Sequence, residues 1–82
     1  MAIHTLLSPL PGTFYRSASP GEPAFKNEGD VVQEGDVVGL IEVMKQFSEV
    51  TADAGGKLVK FHVDNEAPID TGDALADIET HD

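Results

Sequence analysis

The chain has 82 residues and a formal net charge of −10, with fifteen acidic side chains against five basic ones. This length fits one domain with a modest core, and the lack of cysteine excludes disulfides and suits a reducing compartment. So acidic a surface repels phosphate backbones and anionic lipids, and we expect no nucleic-acid partner and no membrane partner. Residues 1–7 lack the basic start of a targeting peptide, and no apolar run would span a bilayer, which favours a cytoplasmic location.

Short β-prone segments separated by turns follow one another along the sequence. Taken in chain order, the predicted strands are residues 12–15, 37–43, 47–51, 57–63 and 74–79. No helical periodicity of useful length interrupts them. The pattern predicts an all-β domain.

Two parts of the sequence repeat each other. Residues 35–42 (GDVVGLIE) align without a gap with residues 72–79 (GDALADIE), and Val32 aligns with Ile69 at the same spacing of 37. Two similar all-β halves predict two antiparallel sheets packed face to face about a pseudo-two-fold axis. We therefore expect a sandwich of two similar antiparallel sheets.

The repeat also predicts which side chains point into the core. Ile41 and Ile78 occupy matching positions, and both are expected to face inward. Asp77 matches Leu40 and precedes Ile78, so it is expected on the opposite, solvent-facing side of its strand. A solvated carboxylate there is expected to contribute little to stability.

The first half of the repeat is longer than the second. Residues 12–14 resemble residues 56–58 at a spacing of 44, which leaves seven extra residues between Phe14 and Val32. Residues 17–24 are rich in turn formers and poor in apolar side chains, so they are the predicted insertion.

The junction between the halves holds a single lysine. The first half runs past Glu42 into Met44 and Lys45 and then into the strand that starts at Phe47, whereas the second half runs past Glu79 and ends. Met44 and Lys45 are therefore expected at an exposed hairpin tip, with the chain termini at the opposite pole.

Motifs around this lysine are specific in combination. Residues 42–45 (Glu-Val-Met-Lys) resemble the Glu-Ala-Met-Lys attachment motif of biotin carboxyl carrier proteins, and residues 28–38 resemble the glycine–aspartate approach to that motif. Residues 8–16 resemble the first strand of the carrier of acetyl-CoA carboxylase, and residues 17–24 resemble its "thumb" loop. The resemblance covers about residues 8–79 and implies that they form the carrier domain, between an N-terminal segment at 1–7 and a C-terminal tail at 80–82. The fold that it implies is a flattened β-barrel or sandwich of the barrel-sandwich hybrid type.

The resemblance implies a non-catalytic carrier with biotin covalently attached to Lys45. Met44 and Gln46 would complete the attachment motif, and Ser19 and Pro20 of the thumb would lie near the cofactor. The implied partners are biotin protein ligase, biotin carboxylase and a carboxyltransferase. Two residues depart from the family pattern, because Val43 stands where alanine is usual and Gln46 where methionine is usual.

Other side chains with possible chemistry have weaker patterns. The three histidines, His4, His62 and His81, lack the spacing of metal ligands, so no metal site is predicted. The serines lack a catalytic histidine and aspartate in a suitable pattern, which argues against a hydrolase. Four phenylalanines are expected to be core or half-buried residues, namely Phe14, Phe25, Phe47 and Phe61.

Three alternatives to an acetyl-CoA carboxylase carrier remain open. A lipoyl domain has the same fold and a lysine at the same tip, but its motif usually reads Asp-Lys-Ala and it lacks the thumb. A carrier of a different biotin-dependent carboxylase would fit the divergent Val43 and Gln46. An unmodified interaction scaffold would leave Met44 and Lys45 without a purpose.

Overall fold

Eight β-strands make up half of the chain in a computed structural model that describes residues 2–19 and 21–80. Their bounds are β1 (Ala2–Leu7), β2 (Gly12–Tyr15), β3 (Val31–Val32), β4 (Val37–Val43), β5 (Gln46–Thr51), β6 (Gly56–Phe61), β7 (Ala67–Ile69) and β8 (Ala74–Thr80). Strands β2 and β4 have the bounds predicted from the sequence. Strands β5 and β8 are each one residue longer than predicted, and β6 begins one residue earlier and ends two residues earlier. The described ranges contain no helix long and apolar enough to cross a membrane.

The strands form two antiparallel sheets of four strands each. Sheet A has the order β1-β8-β6-β3, and sheet B has the order β5-β4-β2-β7. Exchanging β4 with β8, β2 with β6, β5 with β1 and β7 with β3 converts one order into the other. The predicted all-β sandwich of two similar sheets is therefore confirmed.

Strand register shows how far the internal symmetry extends. In sheet B, Val43 pairs with Gln46, and in sheet A the matching pair is Thr80 with Ala2. Both edge pairings also contain a register irregularity at the same place along the strands. Residues 2–43 and 46–80 are thus two copies of one unit, joined by a two-residue turn, and each copy contributes two strands to each sheet.

One apolar core lies between the two sheets. Its buried members are Leu6, Phe14, Val32, Val38, Ile41, Val50, Ala52, Leu58, Ile69, Leu75, Ala76 and Ile78. The expectation that Ile41 and Ile78 face inward is confirmed, since both are fully buried. Most of the other core residues also form matching pairs, for example Phe14 with Leu58. The symmetry therefore governs packing as well as backbone topology.

Two glycines allow the central strands of each sheet to approach closely. A Cβ atom on Gly12 would collide with the carbonyl oxygen of Glu42, and one on Gly56 would collide with that of Glu79. Both glycines have φ values near +156°, which L-residues with side chains rarely adopt. The Gly12 contact fixes the end of β4 just before the chain turns at Met44.

Three Gly-Asp turns lead into strands β3, β4 and β8. The carboxylates of Asp30, Asp36 and Asp73 each accept a hydrogen bond of 2.8 or 2.9 Å from the backbone N–H three residues earlier. The bond from the Gln33 N–H is the main reason why the pKa of Asp36 lies below its usual value. The Gly-Asp pairs that recur in the sequence therefore mark capped turns.

The N-terminal segment belongs to the domain. Residues 1–7 were expected to lie outside it, but Ala2–Leu7 form β1 and pair with β8 along their whole length. The expectation failed because the apolar side chains of this strand do not alternate cleanly: Leu6 is buried, whereas Ile3 and Leu7 are exposed. At the other end Thr80 lies in β8, and residues 81–82 of the expected tail lie outside the described residues.

Asp77 differs from its expected role as a solvated charge. It lies on the outer side of β8 as predicted, but its Oδ1 atom accepts a hydrogen bond of 2.9 Å from the Thr5 hydroxyl and lies 2.9 Å from Nε2 of His62. The contact with His62 and then the bond from Thr5 hold the pKa of Asp77 below its usual value. This carboxylate therefore ties β1 and the end of β6 to β8.

We predict that Asp77→Ala lowers the free energy of unfolding by about 1 kcal/mol near neutral pH, the net worth of a charged hydrogen bond partly exposed to solvent. A lowered pKa in the folded state contributes stability above the unfolded pKa, and that stability is lost as the pH falls through the folded value. The deficit of the variant should therefore shrink at about pH 3. Urea unfolding of the variant and the wild type, near neutral pH and at about pH 3, measures this deficit.

Glu34→Ala is the matched control for this experiment, because Glu34 is an exposed acid with no side-chain hydrogen bond or ion pair among the described residues. A deficit equal to that of the control would show that the Asp77 contacts do not stabilise the fold.

Candidate functional site

A two-residue turn joins β4 to β5 and carries Lys45. Val43 pairs with Gln46, so Met44 and Lys45 are the central residues of the hairpin, as predicted. Their φ values are +51° and +66°, both in the left-handed region. Such a turn suits the right-handed twist of the strands and normally contains asparagine and glycine. Two residues with long side chains here cost backbone strain, which structures tend to keep at functional positions.

The amine of Lys45 is available to another molecule. Lys45 is exposed, and among the ion pairs formed by residues 2–19 and 21–80 none involves it. Its neighbour Met44 has 92% of its surface exposed and so adds no cover. An amine in this position is free to act as a nucleophile once it has lost its proton.

A shallow groove lies beside the turn. Its lining residues are Leu10, Val43, Met44, Gln46 and Ser48. Met44 and Gln46, the two neighbours of Lys45 in the sequence, both line this groove, and their role in attachment stays a prediction. Ser19 does not line this groove, and Pro20 lies outside the described residues. The predicted role of these two thumb residues therefore stays a prediction.

The outer side of the hairpin presents an aromatic pair. The ring centroids of Tyr15 and Phe47 lie 6.0 Å apart, and the Tyr15 hydroxyl donates a 2.9 Å hydrogen bond to Oε1 of Glu42. This bond is the main reason why the pKa of Tyr15 lies above its usual value, with smaller effects from partial burial and from the charges of Glu42 and Glu66. The hydrogen bond links β2 to β4 on this side of the sheet.

The exposure of Phe47 contradicts the sequence interpretation. Phe14 is buried and Phe25 and Phe61 are half-buried as expected, but 57% of the Phe47 surface is exposed. Hydrophobicity alone suggested a core residue. The signal that would have corrected this is strand alternation, since Phe47 lies on the same side of β5 as the acidic Glu49 and opposite to the buried Val50.

The insertion forms a separate loop after β2. An isolated bridge pairs Ser17 with Ala24, and both residues correspond to the single residue Phe61 in the second unit. The seven extra residues therefore lie where the sequence placed them. Arg16 anchors the start of the loop, because its backbone N–H donates to Asn65 Oδ1 and its guanidinium lies 4.0 Å from the ring centre of Phe61.

The two ends of the described chain lie away from Lys45. Ala2 pairs with Thr80 at one end of β1. The opposite end of β1 leads within three residues to Leu10, which lines the groove beside Met44. A strand of six residues spans about 20 Å, so the attachment points of any fused sequence are separated from the turn by the length of the sheet.

Two histidines each pair with one aspartate. His4 lies 2.7 Å from Asp53, and His62 lies 2.9 Å from Asp77. In the part of the chain that the structure describes, which excludes His81, no three potential metal ligands come together.

Comparison with known proteins gives consistent results. Residues 4–78 match the model of a family described as "Biotin-requiring enzyme". The biotin carboxyl carrier protein of acetyl-CoA carboxylase from Porphyra purpurea is 41% identical over 76 residues, which are 93% of this chain and 48% of that protein. The chloroplastic counterpart from Glycine max is 53% identical over 55 residues, or 67% of this chain and 21% of that protein.

A solved structure with the same fold is the urea carboxylase of Kluyveromyces lactis. It superposes with a TM-score of 0.77 and 30% sequence identity, over 96% of this chain and 6% of that one. The chain thus spans about half of the length of the relative from Porphyra purpurea, and much less of the urea carboxylase.

The strained turn leads to a stability prediction. Asparagine adopts the left-handed conformation more readily than methionine, and Met44 makes little packing contact because it is exposed. Met44→Asn should therefore raise the free energy of unfolding by about 0.5–1 kcal/mol. Urea unfolding measures the change. Gln46→Asn, one residue beyond the turn, is the control and should give no gain. A Met44→Asn variant no more stable than the wild type would contradict the strain.

Proposed function

Because the chain belongs to the family of biotin-requiring enzymes, we propose that it carries biotin as an amide on the side chain of Lys45. The observation that carries the proposal is the position of this lysine, which lies in a strained two-residue turn with no ion-pair partner among residues 2–19 and 21–80. The residues around it support the same assignment, since Met44 and Gln46 flank the lysine on the groove.

The surroundings of Lys45 fit a tethered cofactor. An amide at the Lys45 amine removes one positive charge and buries no unpaired group, because the turn is exposed. The two strands behind the turn are fixed by the buried Ile41 and Val50, so the tether starts from a rigid base. Biotin bound there carries a carboxyl group from one enzyme site to another. This chain positions the attachment point, and the long side chain lets the cofactor move between the two enzyme sites. Tethering raises the concentration of the cofactor at both sites.

We further propose that the chain serves acetyl-CoA carboxylase. The relatives from Porphyra purpurea and Glycine max are named as carriers of that enzyme. Residues 17–24 resemble the thumb loop of such carriers in sequence. In this proposal biotin protein ligase loads Lys45, and biotin carboxylase and a carboxyltransferase use the loaded carrier, which does no catalysis itself. The cytoplasmic location expected from the sequence stays a prediction.

A carrier of another biotin-dependent carboxylase is the second candidate. The superposition with a urea carboxylase supports it, because a domain of this fold occurs there in a larger chain. Activity reconstituted with the partner enzymes, with acetyl-CoA or urea as acceptor, distinguishes the two candidates. A lipoyl-type carrier and an unmodified scaffold are distinguished by mass alone.

The first functional prediction concerns the attachment residue. Lys45→Arg should abolish biotinylation, since arginine keeps the charge but cannot accept the acyl group, and it should leave circular dichroism and melting unchanged. Intact-mass analysis of protein from its native source measures the modification, because biotin, lipoate and no modification give three different masses. Lys57→Arg is the control and should carry biotin as the wild type does. Biotin on any lysine of the Lys45→Arg variant would contradict the assignment.

The second functional prediction concerns the insertion. We propose that residues 17–24 restrain the cofactor near the turn, as the resemblance to acetyl-CoA carboxylase carriers implies for Ser19 and Pro20. The bridge between Ser17 and Ala24 shows where the loop can be shortened. Replacing residues 18–23 by a two-residue turn should leave folding and biotinylation intact, because the second unit closes without them. Carboxyl transfer by the assembled enzyme should fall, since the cofactor is less well oriented.

A glycine–serine loop of the original length is the control for this shortening. If the shortened carrier supported carboxyl transfer at the wild-type rate, the loop would have no role in positioning the cofactor. If the shortened carrier did not fold, the loop would be a structural element.

A further inference from the structure

The internal two-fold supplies a reference surface within the same molecule. Alternation along the strands points one set of side chains away from the core on each sheet. On sheet B these are Thr13, Tyr15, Leu40, Glu42, Phe47 and Glu49, which we name the site face because its hairpin carries Lys45. Their counterparts on sheet A are Lys57, Lys60, Asp77, Glu79, Ile3 and Thr5, which we name the reference face. Lys60 and not Val59 matches Tyr15, because β6 has a register irregularity between Leu58 and Lys60 and Lys60 pairs with Asp77. Differences between the two faces are not requirements of the fold.

The first difference is aromatic. Phe47 corresponds to Ile3, and the two are equally exposed, at 57% and 55%. Tyr15, beside Phe47, corresponds to Lys60 on the reference face. Because the Tyr15 hydroxyl is fixed on Glu42, the aromatic pair is ordered before any partner arrives. Ordered aromatic side chains lose little conformational entropy on binding and are common among the residues that dominate interface energies.

The second difference is charge. The six positions of the site face contain two glutamates and neither lysine nor arginine. The reference face also has two carboxylates, those of Asp77 and Glu79, but Lys60 and Lys57 pair with them across the strands. Glu49 is exposed and has no ion pair among the residues that the structure describes. Glu66 adds a further negative charge near Tyr15. An aromatic centre flanked by carboxylates is complementary to an apolar pocket flanked by basic residues.

The third observation is continuity with the modified residue. Phe47 is the second residue after Lys45 and pairs with Glu42 across the hairpin. An enzyme that acylates Lys45 must bring the amine into its active centre, and the turn projects only Met44 and Lys45. The part of the enzyme surface that surrounds its active centre therefore contacts the strands behind the turn.

We propose that the site face is the docking surface for biotin protein ligase, which receives Phe47 in an apolar pocket and meets Glu42 and Glu49 with basic side chains. The inference rests on the proposed biotinylation of Lys45. It goes beyond the attachment motif, because Tyr15, Phe47 and Glu49 lie outside it. A ligase held on this face needs no contact with the reference face or with the chain ends.

Kinetics of biotinylation test the docking surface with a matched pair of variants. Phe47→Ser and Ile3→Ser remove equally exposed apolar side chains from equivalent positions. With purified ligase, ATP and biotin, we expect Phe47→Ser to lower kcat/KM for the carrier at least about tenfold, chiefly through KM. Ile3→Ser should change it less than about twofold. Circular dichroism and melting establish that both variants are folded.

Glu49→Lys is a second test that does not depend on the aromatic pair, because this exposed side chain has no partner to lose. It should raise KM for the carrier, and the difference from wild type should diminish at high ionic strength. Equal constants for Phe47→Ser and Ile3→Ser would overturn the docking surface and leave the biotinylation of Lys45 intact. A fall in kcat with KM unchanged would make Phe47 a positioning residue and would also overturn it. A wild-type chain that accepts no biotin would overturn both proposals.

Discussion

Burial of the two inner sheet faces against each other is the constraint on which the site depends. The chain has no disulfide, so strands β4 and β5 are fixed by core residues such as Ile41 and Val50 and by the close approach of β2 at Gly12. The hairpin then has only two residues in which to reverse direction. Met44 and Lys45 keep left-handed conformations because both flanking strands are held, and the lysine side chain projects from a rigid support.

The repeat made most of the architecture predictable from the sequence. Matching residues at 35–42 and 72–79 implied two similar sheets, and the structure extends the match to nearly every core position. Strands β1, β3 and β7 were not identified, for physical reasons. Strands β3 and β7 have two and three residues, too few for a pattern, and β1 exposes Ile3 and Leu7 at a sheet edge. Pairing with a distant strand, not local preference, makes these segments extended.

The site was predictable in its centre and less so at its edges. The family resemblance read from residues 42–45 is confirmed, and the hairpin lies where the repeat placed it. The aromatic pair of Tyr15 and Phe47 was missed, because composition does not reveal which side of an edge strand is covered. The contacts of Asp77 were missed for a similar reason, since His62 and Thr5 come from strands or turns far away in the sequence.

Each copy of the repeated unit contributes two strands to each sheet, so neither copy closes a core alone. If two separate chains of this unit were related by an exact two-fold axis, the first strand of each would pair with the last strand of the other, as Ala2 pairs with Thr80 here. Both poles of such a dimer would then have free chain ends. Met44 and Lys45 lie at the pole where the copies are joined and belong to neither of them. In evolutionary terms, the lysine on which the proposed function depends would then be a product of gene fusion, and a symmetric dimeric ancestor would have had the fold without the site.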